Sequence, residues 1–348
     1  MAESITINSV TVEPGNRQTI DLPVAKLYTH TMLAMPLHVI NGKKSGPRLF
    51  VSAAIHGDEL NGVEIIRRLL RLPILKRLRG TLIAIPIVNV HGFLERSRYL
   101  PDRRDLNRSF PGHQRGSLAS RVAHLFMEEI VGQCTHGIDL HTAAVHRNNL
   151  PQIRANLEDE ETARLAEAFG TPVLIDANIR DGSLRQAAME QGIPMLLYEA
   201  GEALRFDEVA IRAGVQGIIQ VMRTLEMLPA VRKKKKPYKP VLARSSSWVR
   251  SPDSGILRAM VSLGTQVEKE TLLGIVSDPF GERDVEIRTP YSGIIVGRNN
   301  LPLVHEGEAL FNVARFRKLG DAAASVEGFT EDYEPEPSYP PEPEGPIT

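Results

Sequence analysis

The 348-residue chain has a single cysteine, Cys134. That excludes an intrachain disulfide, a cysteine-rich zinc finger and an iron-sulfur cluster together, so any metal chemistry must rely on histidine and carboxylate ligands. It has no surplus of charge either, with 42 Lys+Arg against 42 Asp+Glu. No bulk field of either sign steers it, and neither nucleic acid nor a membrane surface is expected as a partner. Long hydrophobic runs are missing too. The most apolar stretch, around Leu82 to Val90, is far shorter than the roughly 18 to 20 residues of a spanning helix. The opening Met-Ala-Glu-Ser-Ile-Thr-Ile-Asn has neither the basic nor the apolar part of a secretory signal, which makes the cytoplasm the expected compartment. What is present, 42% apolar and 24% charged residues, suits a soluble globular chain with one large domain and a smaller one.

Composition divides the chain. Residues 1–229 alternate apolar runs with amphipathic stretches, the pattern of an α/β domain whose mixed sheet carries helices on both faces. The run Arg232-Lys-Lys-Lys-Lys-Pro-Tyr-Lys-Pro240 marks a basic linker over 230–244. Residues 245–316 turn to short, glycine-punctuated β pieces in which Ser251-Pro-Asp-Ser-Gly-Ile-Leu257 is echoed by Thr289-Pro-Tyr-Ser-Gly-Ile-Ile295, the sign of a small β sandwich built by duplication. The remainder, 317–348, is acidic and rich in proline and is expected to be disordered.

Three pieces point to a site. In Ala54-Ile-His56-Gly-Asp-Glu59, where a buried strand hands over to a helix, His56 and Glu59 are three apart and can face one point as metal ligands. A plainer alternative is a cap and a solvated acid. His141, in Asp139-Leu-His141-Thr, ends another apolar strand and can reach the same sheet edge, unless it merely bonds a nearby carbonyl. Two histidines, a glutamate and an open position form the ligand set of a catalytic zinc site. Glu199 ends a further strand, where a carboxylate close to the metal can serve as general base and then general acid, if it is not simply salt-bridged. Between them lies a loop with five arginines, 96, 98, 103, 104 and 108. Adjacent Asn107 and Arg108 can grip a carboxylate, while Arg103 and Arg104 read as solvated or paired with Asp102 and Asp105.

Taken in order, His56-x-x-Glu59, Asp105-x-Asn107-Arg108, His141 and Glu199 resemble the succinylglutamate desuccinylase/aspartoacylase family of the zinc carboxypeptidase superfamily. The likeness spans roughly residues 45 to 228, and the second region, 245–316, resembles biotinyl/lipoyl barrel-sandwich domains. Its stretch Ser277–Asp284 has no lysine, which speaks against a carrier role. The family resemblance implies a zinc-carboxypeptidase-like fold and one Zn2+ per chain, held by His56, Glu59 and His141. It implies that Glu199 transfers the proton and that Arg98 polarises the scissile carbonyl, with Arg96 or Arg104 as stand-ins because the Arg98 to Asn107 interval is long. Asn107 and Arg108 would hold the substrate carboxylate, and Asp105 would orient His56. Asp58 stands where members often carry Asn. His91, His146 and Arg147 are left without a role. The implied activity is a zinc-dependent deacylase that cleaves the amide bond of an N-acyl amino acid or similar small carboxylate. A zinc carboxypeptidase acting on short peptides, and a binding protein that retains the zinc fold without turnover, are the alternatives. Homo-oligomerisation stays open.

Overall fold

The computed structural model describes residues 2–176, 181–230 and 238–333. A small hairpin, β1 (Ile5–Ile7) and β2 (Val10–Val12), precedes the long strands β3 (Arg17–Lys26) and β4 (Met32–Asn41). Then come β5 (Lys44–Ala53), α1 (Asn61–Leu70), β6 (Arg79–Ile85), α2 (Val90–Glu95), α3 (Leu118–Glu129), β7 (His136–Ala143) and β8 (Arg147–Ala155). The first region closes with α4 (Glu160–Phe169), β9 (Val173–Asp176), α5 (Leu184–Glu190), β10 (Met195–Glu202) and α6 (Glu208–Thr224). The second contains β11 (Val241–Arg250), β12 (Gly255–Ala259), β13 (Gln266–Val267), β14 (Leu272–Ser277), β15 (Asp284–Arg288), β16 (Gly293–Asn299), β17 (Leu303–Val304), β18 (Ala309–Phe316) and α7 (Leu319–Tyr333).

Strand β5 shows why the α/β reading holds. Its second half, Leu49 to Ala53, is wholly buried and runs parallel to β6 on one side and β7 on the other. Alternate residues serve opposite cores, as a pleated strand requires. Leu49, Val51 and Ala53 pack with Ile65, Ile66 and Leu69 of α1, Phe169 of α4 and the apolar face of α6. Phe50 points the other way, to Phe126 of α3 and Leu184 of α5, with its ring 5.9 Å from Phe126. Helices thus cover both faces of a mixed sheet.

That sheet does not stop at the first region. Twelve strands run β13-β16-β18-β11-β9-β8-β10-β7-β5-β6-β4-β3, and β8 pairs β16 as well. Strand β8 pairs β16 through Arg147 to Asn149 and β9 from Gln152 to Ala155. Pro151, which has no N–H to give to a ladder, lies in the gap where β8 exchanges one partner for the other. The remaining four strands form a separate sheet, β15-β14-β12-β17. The repeat noted in the sequence is visible in three dimensions. The buried hydroxyls of Ser251 and Thr289 each donate to the carbonyl two residues on, of Asp253 (2.6 Å) and Tyr291 (2.7 Å). Each turn then feeds a strand, β12 and β16.

Two boundaries differ from expectation. Residues 231–237, most of the basic run, lie outside the described residues, but Tyr238 is buried and β11 starts at Val241, inside the supposed linker. The supposed disordered tail begins with a helix. In α7, Ala322, Val326, Phe329 and Tyr333 recur at helical spacing and are buried, and the Phe329 ring meets Tyr238 edge to face at 5.5 Å and lies tilted 4.7 Å from Tyr333. The acidic residues take the other positions and the prolines begin only at Pro335, so the composition of the whole segment concealed an amphipathic stretch at its start. Residues 334–348 lie outside the described residues.

Candidate active site

The carboxyl ends of β5, β7 and β10, adjacent and parallel, converge on one point, where α/β sheets gather ligands. His56 and Glu59 sit in the tight connection between β5 and α1, where the Glu59 N–H closes a turn on the His56 carbonyl (3.1 Å). Ala54 takes a left-handed φ of 52° to start it. Gly57 is obligatory, because a Cβ there would stand 2.0 Å from the Gly92 carbonyl carbon. His141 extends β7 past Leu140, the partner of Ala53, and Glu199 on β10 is paired with His141, so both side chains leave the same face.

The geometry around Glu59 is compact. Its Oε1 accepts from Nδ1 of His56 and its Oε2 from Nδ1 of His141, both at 2.7 Å, and the backbone N–H of Thr142 adds a third bond at 3.1 Å. All three side chains are buried, and their donor atoms lie within 4.8 Å of one another. Each imidazole is held from behind by a carboxylate. His56 Nε2 donates to Asp105 (3.1 Å) and His141 Nε2 to Asp139 (2.6 Å), which the Ser52 hydroxyl braces at 2.8 Å. Burial alone would keep both imidazoles neutral, yet Glu59 and Asp105 raise His56, and Asp139 and Glu59 raise His141 well above its ordinary value. Burial also opposes charge on Glu59, but the two histidines hold its carboxyl far below the usual range.

This donor set fits a divalent cation. Two Nδ1 atoms and a carboxylate share one buried point, and the backing carboxylates fix each Nε2 as the protonated nitrogen, which leaves Nδ1 as ligand. In the protein alone, protons on the imidazoles supply the positive charge that the three carboxylates need.

Of the candidate arginines, Arg98 reaches this cluster. Its Nη2 and Nε donate to Asp105 (2.8 and 3.2 Å), and Nη1 lies 3.2 Å from His56 Nδ1 and 3.5 Å from Glu59. Arg96 is exposed at the left-handed end of α2, and Arg104 faces Asp102 at 3.9 Å. Asp105 caps the short turn Leu106–Arg108 through the Asn107 N–H (2.8 Å), bringing Asn107 and Arg108 to the rim. The Asn107 amide oxygen accepts from the Leu184 N–H (3.0 Å), and the residue lines the cavity. Arg108 folds onto the Asn107 carbonyl. All the expected site residues except Asp105, which stands behind His56, line one cavity of about 750 Å³.

Other residues of this cavity were not foreseen. Asp139 was legible, since it lies two residues before His141 and a strand repeats its face every second residue. Arg154, whose Nε is 2.6 Å from Glu199 Oε2, comes from β8, a strand without an apolar run, and no local pattern announces it. The far wall comes from the second region, with Arg244, Ser246 and Trp248 of β11 and Asn312 of β18. Among the three residues left without a role, Arg147 lines the cavity, whereas His91 and His146 do not.

Comparison with known proteins gives the family and the fold. The sequence profile described as succinylglutamate desuccinylase/aspartoacylase catalytic domain matches residues 45–225. The chain belongs to this family of amide-cleaving deacylases. It is 26% identical over 307 residues to the N-alpha-acetyl-L-2,4-diaminobutyric acid deacetylase of Halomonas elongata, covering 80% of this chain and 85% of that one. The product-bound ectoine utilization protein EutE of Ruegeria pomeroyi superposes with a TM-score of 0.77 at 25% identity, covering 86% of this chain and 95% of that one. A succinylglutamate desuccinylase/aspartoacylase of Rhodobacter sphaeroides has the same fold, with TM-score 0.77, 23% identity and coverage of 86% and 96%.

Proposed function

We propose that the protein is a zinc-dependent amidohydrolase that removes the acyl group from an N-acyl amino acid or a similar small carboxylate. The observation that carries this reading is the carboxylate-backed His56, Glu59, His141 cluster with Glu199 beside it in register. The kinship to an N-acetyl-diaminobutyrate deacetylase supports it. A zinc ion held by His56 Nδ1, Glu59 and His141 Nδ1 would polarise the amide carbonyl and acidify water next to it.

The chain's own groups do the rest. The Asn107 amide and the Arg108 guanidinium bind the substrate carboxylate and fix the amide at the cluster. Arg98, kept rigid by Asp105, presents Nη1 to the carbonyl oxygen, where negative charge develops as water adds to the carbon. Glu199 takes the proton from that water and delivers it to the nitrogen as the C–N bond breaks, releasing a carboxylic acid and an amine. Arg154 holds the Glu199 carboxylate from the side.

The test is metal content followed by turnover. Elemental analysis should find about one zinc per chain in the wild type and little in His56→Ala or His141→Ala. Glu199→Gln should keep its zinc and lose roughly 10² to 10⁴ in kcat on N-acetyl amino acids. A wild type that cannot be loaded with zinc would sink the proposal, and faster hydrolysis of dipeptides than of N-acyl amino acids would move it to a carboxypeptidase.

A further inference from the structure

One level of the sheet carries Glu199 and a buried amide side by side. His141 on β7 pairs with Glu199 on β10, Glu199 with Gln152 on β8, and Gln152 with Val173 on β9. Laterally paired residues share a face, and here it is the face opposite Tyr198, Ala200, Ile153 and Ala155, which serve the core under α1 and α6. Gln152 is 0% exposed, and neither its Oε1 nor its Nε2 has a hydrogen-bond partner among the described residues. Its lateral neighbour on one side, Val173, is apolar. On the other side stands Glu199, and Cβ atoms of such a pair lie about 4.5 to 5.5 Å apart, which places the carboxylate within the span of a glutamine side chain. Arg154, two residues along the same face, brings its Nε to 2.6 Å from Glu199 Oε2, but neither atom has the alignment of a hydrogen bond. Glu199 Oε2 thus has a charge partner and no aligned donor.

A buried amide left unpaired costs stability, and leucine or methionine would fill the position without that cost. The reaction supplies a reason for glutamine. In the cycle above, Glu199 is a carboxylate before it takes the proton from water and a carboxylic acid until it hands that proton to the leaving nitrogen. A guanidinium offers donors only and its charge favours the anion, whereas an uncharged amide N–H serves Oε2 in both forms. We propose that Gln152 is a positioning residue for Glu199, donating from Nε2 to Oε2 as the proton is taken and handed on, and so keeping the other carboxylate oxygen turned to the His56, Glu59, His141 cluster. This rests on the deacylase reading above and adds a residue to its machinery.

The test joins Gln152→Met, an apolar side chain of like length, to a spectrum of the amide itself. Gln152→Met is expected to keep its zinc, to melt at the wild-type temperature or above it, and to lose about 10- to 100-fold in kcat on N-acetyl amino acids with KM unchanged, the effect of one hydrogen bond to a charged group that matters in the transition state. A residue that only filled space or paired with solvent would change stability and leave kcat alone. Gln152→Leu should behave in the same way and serves if the first variant does not fold. In the Glu199→Gln background either change should cost nothing more, because Gln152 acts through Glu199. In protein labelled with 15N-glutamine, the side-chain amide signal of Gln152, recognised by its absence from the variants, should move when Glu199 is replaced by alanine, with zinc bound or removed. Wild-type kcat in a folded Gln152→Met or Gln152→Leu protein, or an amide signal that Glu199→Ala leaves in place, would overturn the role. A wild type that hydrolyses no N-acyl amino acid would instead remove the deacylase reading, and the amide signal would then decide alone whether Gln152 meets Glu199.

Discussion

Asp139 shows how much a single carboxylate can govern from behind a candidate metal ligand, His141. It receives the His141 Nε2 proton at 2.6 Å and is itself fixed by Ser52. Asp139→Asn keeps the shape but removes the charge and allows the amide to present either end. Zinc affinity is expected to fall about 10- to 100-fold, read by competition with a chromophoric chelator. An unchanged affinity would show that His141 needs no partner. The same carboxylates set the pH dependence. His56 and His141 are raised above the ordinary value of about 6.5, so in the zinc-free chain their protonation stabilises the fold fully below that pH and is lost as pH rises through the raised values. Zinc needs those Nδ1 atoms free of protons. The increase in melting temperature caused by zinc should therefore shrink steadily from about pH 8 to about pH 5.5, and a pH-independent increase would contradict the assignment. His56 and His141 were legible because each stands at or just after the end of an apolar run that reads as a strand. Arg154 and Asn312 were not, because what brings them in is a pairing between strands distant in sequence.

At the scale of elements, sequence patterning succeeded where one face was buried and failed where composition was averaged. The apolar runs of β5, β6 and β7 mark strands covered on both sides, and their order places His56 and His141 on one edge. Strand β8 escaped notice because Arg147 to Ala155 mixes Asn, Gln and Arg with Pro151, and it is held by neighbours on both sides rather than by its own propensity. Helix α7 was lost inside an acidic, proline-rich segment although Ala322, Val326, Phe329 and Tyr333 form a regular stripe. The packing gives a measurable consequence. Phe329 is 2% exposed between Tyr238 and Tyr333, and truncating such a side chain usually costs about 3 to 5 kcal/mol. Phe329→Ala should lower the urea midpoint accordingly and loosen Tyr238, which otherwise donates to the Gly170 carbonyl at 2.9 Å. A loss below about 1 kcal/mol would mean that α7 is an ornament to the fold.

For the whole molecule, the continuity of the sheet decides what the second region does. A separate domain tethered by a flexible linker could be removed and leave a working catalytic unit. Here β11 pairs β9 from Val241 to Ala243, β16 pairs β8 from Gly297 to Asn299, and Leu150, Val173 and Ile175 share a core with Ala243, Ile294, Val296 and Ala314. Ending the chain at Ala230 would strip one side of β9, expose that core and take away the cavity wall formed by Trp248 and Asn312. An open strand edge beside apolar surface favours association with other chains. Residues 1–230 alone are therefore expected to aggregate on size-exclusion chromatography, while the full chain unfolds in one transition as a single cooperative body. A soluble 1–230 fragment with the intact protein's substrate profile would show that the second region neither completes the sheet nor shapes the site, and would return it to the standing of an appended module.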